Sequence, residues 1–274
     1  MSGEGRITEC LEKLRQDGEK GLITFITAGD PDLTGTVEIS RQLAAAGADI
    51  IELGIPYSDP LADGPVIQKA SGRAIASGTT IDKIFKAVEE IRQHCGVPIV
   101  LMGYYNPIYK YGAGKFAQEA AESGVSGLIV PDLPHEESGP LRQEAVRAGI
   151  DLIPLVAPTT TDQRLARIAA GAQGFIYCVS VTGVTGAREE IKTDLAAFTN
   201  RVRRFANLPL AVGFGIAGPE QAARVARNCD AVVVGSALVN IIAGSRNAEE
   251  AGPAAGALVR RIRSALDLIG PAEL

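Results

Sequence analysis

Eight short apolar runs rich in β-branched residues recur along the chain, separated by segments of helical periodicity. Continuous apolar runs of this length are typical of parallel strands that are covered on both faces of the sheet. We therefore predict eight parallel strands. The runs are LITFIT from Leu22, ADIIELG from Ala48, VPIVLMG from Val97, VSGLIV from Val125, IDLIPLV from Ile150, QGFIYCV from Gln173, LPLAVGF from Leu208 and DAVVVGS from Asp230.

The alternation of these runs with helical segments predicts the fold class. Alternating strand and helix describe either a (β/α)₈ TIM barrel or an open doubly wound sheet. No GxGxxG motif follows the first run, and eight units favour the barrel. An extra helix, roughly Arg6 to Asp17, precedes the first strand and is expected to plug the bottom of the barrel. No linker-like stretch interrupts the 274 residues, so we predict one domain over residues 1–274.

The spacing between runs indicates where the chain carries insertions. The second and third runs start 49 residues apart (97 − 48), and the sixth and seventh start 35 apart (208 − 173). Insertions in barrel enzymes collect in the loops that follow the strands, at the catalytic face. Long loops after the second and sixth strands are therefore predicted to border a site and to act as lids.

Two acids in and after the second run are the strongest candidates for chemistry. Glu52 interrupts an apolar strand, where a carboxylate is costly unless it is paired or used. Asp63 lies in the long loop that follows and is expected to fold back over Glu52. Two carboxylates in different environments suit acid–base catalysis on a small substrate. The alternative is that Glu52 points outward to a basic residue and that Asp63 only forms an Asp-Gly turn.

Glycines after the last two runs indicate an anion site. Gly213 and Gly215, with Phe214 between them, follow the seventh run, while Gly235 and Ser236 follow the eighth and open a helix. Small residues let backbone N–H groups approach a phosphate, and barrel phosphate sites recur after these strands. Tight turns with a serine N-cap are the alternative.

Tyrosines form a further group of candidates. Tyr177 lies inside the sixth run and is either a core residue or a ligand-contacting one. The segment from Tyr104 to Gly112 contains four of the six tyrosines and is expected to be a loop that suits an interface. The segment from Pro131 to Ser138 follows the fourth run and is either a helix start or part of the same surface.

Composition excludes several classes of function. The net charge of −5 argues against nucleic acid as a partner. No apolar run reaches the length of a membrane span. The four cysteines are scattered and the two histidines lie in polar surroundings, so we expect reduced thiols, no metal site and a cytoplasmic location.

The motifs together resemble the tryptophan synthase α chain family along essentially the whole chain. The most specific block is ELGIPYSDPLADGPVIQ, which contains both acids. The others are FITAGDP from Phe25, GLIVPDLPHEES from Gly127, TGVTGA from Thr182, GFGI from Gly213 and GSALV from Gly235. The resemblance implies a barrel lyase that cleaves indole-3-glycerol phosphate to indole and glyceraldehyde 3-phosphate by a retro-aldol reaction, with no cofactor in this chain.

The same resemblance implies roles for individual residues. Glu52 is the acid–base group that protonates indole C3, and Asp63 accepts a hydrogen bond from the indole N–H. Thr185 reaches Asp63 when the lid closes. The remaining roles concern the substrate pocket. Phe25 lines the indole pocket and Tyr177 lies near Glu52 and the substrate. The phosphate site is lined by Gly186, Gly213, Phe214, Gly215, Gly235 and Ser236.

One departure from the family pattern concerns the loop after the sixth run. Val181 stands where some members carry an arginine, so no lid contact of that arginine is carried over. The resemblance also implies a pyridoxal-phosphate-containing β chain as partner in an α₂β₂ heterotetramer, which receives the indole. Alternatives are an isomerase or epimerase barrel, a lyase that acts without a partner, and a non-catalytic effector subunit.

Overall fold

A computed structural model of the chain describes residues 5–179, 194–213 and 215–269. In these residues nine strands form one sheet in which every pair is parallel, in the order β5-β4-β3-β2-β1-β9-β8-β7-β6. The strands are β1 Gly21–Thr27, β2 Ile50–Gly54, β3 Ile99–Met102, β4 Gly127–Ile129, β5 Asp151–Leu152, β6 Leu155–Val156, β7 Ile176–Val179, β8 Leu210–Gly213 and β9 Ala231–Val234.

Twelve helices accompany these strands in the described residues. None of them is both long and apolar enough to cross a membrane. They are α1 Arg6–Gln16, α2 Leu33–Ala45, α3 Pro65–Ala76, α4 Ile81–His94, α5 Tyr105–Tyr111, α6 Ala113–Ser123, α7 Gly139–Ala148, α8 Asp162–Ala170, α9 Leu195–Arg203, α10 Pro219–Ala226, α11 Ser236–Gly244 and α12 Ala248–Asp267.

The fifth apolar run forms two strands instead of the predicted one. It divides into β5 and β6 on either side of Ile153 and Pro154, because proline has no N–H to donate to a neighbouring strand. These two strands are the opposite edges of the sheet, so the chain itself joins the edges. The predicted (β/α)₈ barrel is thereby confirmed.

Helix α1 packs at the end of the barrel where the strands begin, as predicted. Its Ile7 and Leu11 are fully buried and belong to the inner core cluster, together with Ile23 of β1 and Ile50 of β2. The inner cluster is separate from the larger layer between the sheet and the surrounding helices. The extra helix therefore seals the bottom of the barrel and leaves the opposite rim for a site.

The segments after the strands differ in part from the prediction. The insertion after β2 is a loop over residues 55–64 followed by an additional helix, α3. The tyrosine-rich segment was expected to be a loop, but most of it forms α5. The long loop after the sixth run falls largely in residues 180–193, outside the described residues, and Val181, Thr185 and Gly186 lie there.

Candidate active site

The ends of the strands bring the predicted residues to one rim of the barrel. Phe25 pairs with Glu52 across β1 and β2, and Glu52 pairs with Val100 of β3. The carboxyl ends of all strands in a parallel barrel meet at the same face. Glu52, two residues before the end of β2, therefore lies just below this rim.

A cavity of about 590 Å³, its open mouth included, occupies this end of the barrel. Most of the side chains that line it are apolar. Among the described residues of the lining, the two acids are the charged groups. The lining residues are Phe25, Glu52, Asp63, Ile67, Met102, Tyr177, Gly215, Ile216, Ala217, Val233, Gly235, Ser236 and Ala237.

Glu52 is the most deeply buried group in this cavity. Only 1% of the residue is exposed, and its Oε2 atom has no hydrogen-bond partner in the described part of the chain. Burial raises the pKa of the Glu52 carboxyl to about 8, and the negative charge of Asp63 contributes less. The group is therefore mostly protonated at neutral pH and can act as an acid.

Asp63 lies in a different environment on the loop before α3. Its backbone N–H donates to the carbonyl of Pro60 at 3.0 Å, which closes a turn. Burial raises the pKa of Asp63 to about 6, but the hydroxyl of Tyr104 donates a hydrogen bond to its carboxylate and opposes this increase. Asp63 is therefore mostly ionised at neutral pH, when Glu52 is not.

Tyr104 is a site residue that the sequence analysis assigned to an interface. Its ring is nearly buried, and its hydroxyl accepts a hydrogen bond from the N–H of Ala62 at 2.9 Å. The same hydroxyl donates to Asp63, so Tyr104 fixes the loop and the carboxylate together. The only signal in the sequence is its position directly after a strand that neighbours that of Glu52.

The glycines after β8 and β9 lie where two helices begin beside the cavity. Gly215 has a φ of +79°, which glycine adopts readily, and Gly235 is the N-cap of α11. Helices α10 and α11 both start near this wall, so their N–H groups and dipoles favour an anion. No Lys or Arg lines the cavity among the described residues, which leaves backbone groups as the donors found there.

Gly213 has a function that its sequence context did not indicate. A side chain at Gly213 would overlap with the hydroxyl of Tyr177 on the neighbouring strand. Gly213 lies at the end of β8 and is not among the residues that line the cavity. Its lack of a side chain leaves room for the Tyr177 ring. Phe214 lies outside the described residues.

The fold and the cavity define the class: a parallel barrel with a cavity at the carboxyl ends of its strands, where barrel enzymes have their active sites. Two buried carboxyl groups of different pKa line this cavity. Comparisons with known proteins identify the family. A profile of the tryptophan synthase alpha chain matches residues 11–265. The chain belongs to this family, as the sequence motifs indicated.

Individual relatives agree with this assignment. The tryptophan synthase alpha chain of Citrifermentans bemidjiense is 53% identical over 244 residues, 89% of this chain and 91% of the relative. The crystal structure of the alpha chain from Legionella pneumophila superposes with a TM-score of 0.89 at 41% identity, covering 98% of this chain and 99% of that one. Tryptophan synthase of Mycobacterium tuberculosis gives a TM-score of 0.88 at 35% identity, covering 97% and 99%. The assignment as a carbon–carbon lyase that releases indole is thereby confirmed.

Proposed function

We propose that Glu52 and Asp63 together cleave indole-3-glycerol phosphate in the cavity described above. The observation that carries this proposal is the difference in pKa between two carboxyl groups in one cavity, about 8 for Glu52 and about 6 for Asp63. Near neutral pH one is an acid and the other an anion, which is what acid–base chemistry on one substrate requires.

The reaction follows from these two protonation states. Glu52 donates its proton to indole C3, and Asp63 accepts a hydrogen bond from the ring N–H as positive charge develops on the ring. The C3–C1′ bond then breaks, and its electrons return to the ring. The C1′ hydroxyl gives its proton to the Glu52 carboxylate, and C1′ becomes the aldehyde carbon. Glu52 is thereby restored, and the products are indole and glyceraldehyde 3-phosphate.

The other site residues hold the substrate in this proposal. Phe25 and Tyr177 contact the indole, while Gly215, Gly235 and Ser236 at the helix starts bind the phosphate through backbone N–H groups. Gly186, Gly213 and Phe214 complete the phosphate site, and Thr185 reaches Asp63 from the lid. Support for the phosphate position comes from the convergence of α10 and α11 on one wall of the cavity.

A direct test measures indole release by Glu52→Gln. We expect a loss of 10² or more, the usual scale for loss of a general acid–base group. The matched control is Glu90→Gln, which changes an exposed acid of α4 and should leave turnover unchanged. Turnover of a folded Glu52→Gln protein near that of the parent would contradict the role.

We also propose a β chain as partner, in an α₂β₂ assembly whose β chain contains pyridoxal phosphate and receives the indole. The docking surface would comprise the loop before α3, helix α5 and the segment from Pro131 to Ser138. Two large apolar side chains protrude there: Leu61 is 86% exposed and Tyr109 is 69% exposed. Exposed apolar groups of this kind are typical of protein interfaces. A cytoplasmic location belongs to the same proposal, since all four cysteines are free thiols.

Contacts from this surface lead to Asp63. Asn106 of α5 donates a hydrogen bond to the hydroxyl of Tyr57 at 3.1 Å, and the rings of Tyr57 and Tyr104 are 5.2 Å apart. Tyr104 in turn holds Asp63. A partner that packs on α5 and on the loop would therefore reduce the freedom of Asp63 and raise turnover, by a factor of roughly 5 to 150 for coupling of typical strength.

The partner is tested by calorimetric titration with a β chain, with and without glycerol phosphate, beside a turnover assay. By reciprocity, a ligand in the cavity should tighten the complex. Leu61→Ser should weaken docking, whereas Leu268→Ser, which alters an equally exposed leucine at the end of α12, should not. An isolated chain that is fully active and unaffected by any β chain would instead be a lyase that acts alone.

A further inference from the structure

A small side cavity opens beside Asp63, above the layer formed by Phe25 and Glu52. Thr27 lies two residues after Phe25 on β1, so both side chains are on the same face of the strand. Thr27 pairs with Gly54 of β2, where the Phe25 ring takes the space that a side chain would need. Ser71 of α3 and Asp63 border the same cavity.

The Thr27 hydroxyl is buried there without a protein partner. The residue is 2% exposed, and its Oγ1 has no hydrogen-bond partner among the residues that the structure describes. Buried polar atoms are almost always hydrogen-bonded to protein or to ordered water, because an unpaired one is costly. Ser71 and Asp63 are 4% and 8% exposed, so these two and Thr27 are nearly buried polar groups of the cavity, beside Tyr104, whose hydroxyl is already hydrogen-bonded.

The size of the cavity fits one small polar molecule. It has about 10 Å³ of room for the centre of a water molecule, which is close to what one buried water requires. Polar cavities of this size retain water when two to four partners are available, whereas apolar ones stay dry. Thr27, Ser71 and Asp63 provide that number of partners.

We propose that this cavity binds one structural water molecule and that Thr27 is a positioning residue for Asp63. The water donates one hydrogen bond to the Asp63 carboxylate and uses its remaining hydrogen and lone pairs on the hydroxyls of Thr27 and Ser71. It supplies a second donor to Asp63 beside Tyr104 and so holds the carboxylate in its ionised form. The catalytic consequence rests on the proposed role of Asp63 as the acceptor of the indole N–H.

Substitution of Thr27 leaves the other titratable groups around Asp63 in place. A change in the pKa of Asp63 can therefore be assigned to Thr27. Glu52 and Tyr177 face Asp63 across the catalytic cavity, and Tyr104 contacts it directly. A larger neighbouring cavity that Asp63 also borders adds Asp132, His135, Arg142 and Arg164.

The first test is a high-resolution crystal structure of the parent and of Thr27→Val, which keeps the shape and removes the hydroxyl. We expect a water peak within hydrogen-bond distance of Thr27 and Asp63 in the parent. Thr27→Ser should retain the water and Thr27→Val should lose it. A parent structure with no density in the cavity would overturn the proposal.

The second test follows the ionisation of Asp63 by carbon-13 NMR of its carboxyl carbon. Thr27→Val should raise the pKa of Asp63 by about one unit. The variant loses the water, and with it one hydrogen bond to the charged carboxylate. The acid limb of the turnover profile should move with it, and Thr27→Ser should restore both. Thr24→Val, on the opposite face of the same strand, is the control and should change neither.

The outcomes separate this proposal from the proposed function. An unchanged Asp63 midpoint in a folded Thr27→Val protein would overturn the water site, whatever the turnover. A shifted midpoint in a parent that releases no indole would support the water site and contradict the proposed function.

Discussion

The burial of Glu52 predicts that the proposed catalytic acid destabilises the folded protein when it is ionised. A carboxyl whose pKa is higher in the folded state than in the unfolded chain binds more protons when folded. Between the two pKa values the free energy of unfolding therefore falls as the pH rises. For Glu52 this window extends from the ordinary glutamate pKa of 4.5 to about 8.

The size of this effect follows from the shift of 3.5 pKa units (8 − 4.5). Each unit corresponds to about 1.4 kcal/mol, so the cost of ionising Glu52 in the folded protein approaches about 5 kcal/mol above pH 8. Glutamine has nearly the same shape and no charge to bury. Glu52→Gln should therefore be more stable than the parent at pH 9, while it loses indole release.

The assay is equilibrium unfolding in urea at several pH values for the parent and for Glu52→Gln. All other groups titrate in both proteins, so the difference between the two unfolding free energies isolates Glu52. This difference should increase by up to about 1.4 kcal/mol per pH unit from pH 5 to pH 8 and then level off. Glu90→Gln should show no such trend. A difference that is constant from pH 5 to pH 9 would refute the assignment of a raised pKa to Glu52.

Three further predictions concern other parts of the site. Asp63→Asn should lower turnover strongly and leave substrate binding mostly intact, because the charge matters most once the ring is protonated; a change in KM alone would make Asp63 a binding residue. Tyr104→Phe removes the donor to Asp63, so the pKa of Asp63, about 6 in the parent, should rise by about one unit and the acid limb of the pH–turnover profile should rise with it; an unchanged limb would contradict the contact. Gly235→Asp places a negative charge at the start of α11 and should reduce glycerol phosphate affinity measured by calorimetry, and a crystal with the phosphate bound elsewhere would contradict that site.

Features with a local physical signature were predictable from the sequence. Glu52 was conspicuous because a carboxylate rarely follows two isoleucines in a strand without a function. Helix α1 was predictable from its periodicity, and the position of Gly215 and Gly235 beside the cavity from the place of ligand sites in parallel barrels. In each case the signal lies within a few residues of the feature that it predicts.

Features that depend on distant neighbours were not predictable in this way. Tyr104 holds Asp63 across 41 residues of chain (104 − 63), and nothing near Tyr104 distinguishes it from the interface tyrosines that follow. A side chain at Gly213 would overlap with Tyr177 on the adjacent strand, a constraint that is separate from the proposed phosphate role of this glycine and that the sequence does not reveal. The division of the fifth strand did have a local signal, Pro154 itself, but the run around it was interpreted as one strand.

The two carboxyl groups differ in pKa because they lie on different kinds of structural element. Glu52 lies within a strand, where the backbone is committed to neighbouring strands and no donor reaches Oε2 among the described residues. Asp63 lies on a loop just before α3, where the helix dipole favours an anion and a phenol hydroxyl is within reach. A strand in the middle of a barrel cannot move without disrupting its neighbours, but a loop that ends in a helix can. In the proposed complex, a partner would therefore act on Asp63, through Tyr104 and the loop, while Glu52, the proposed proton donor, stays fixed.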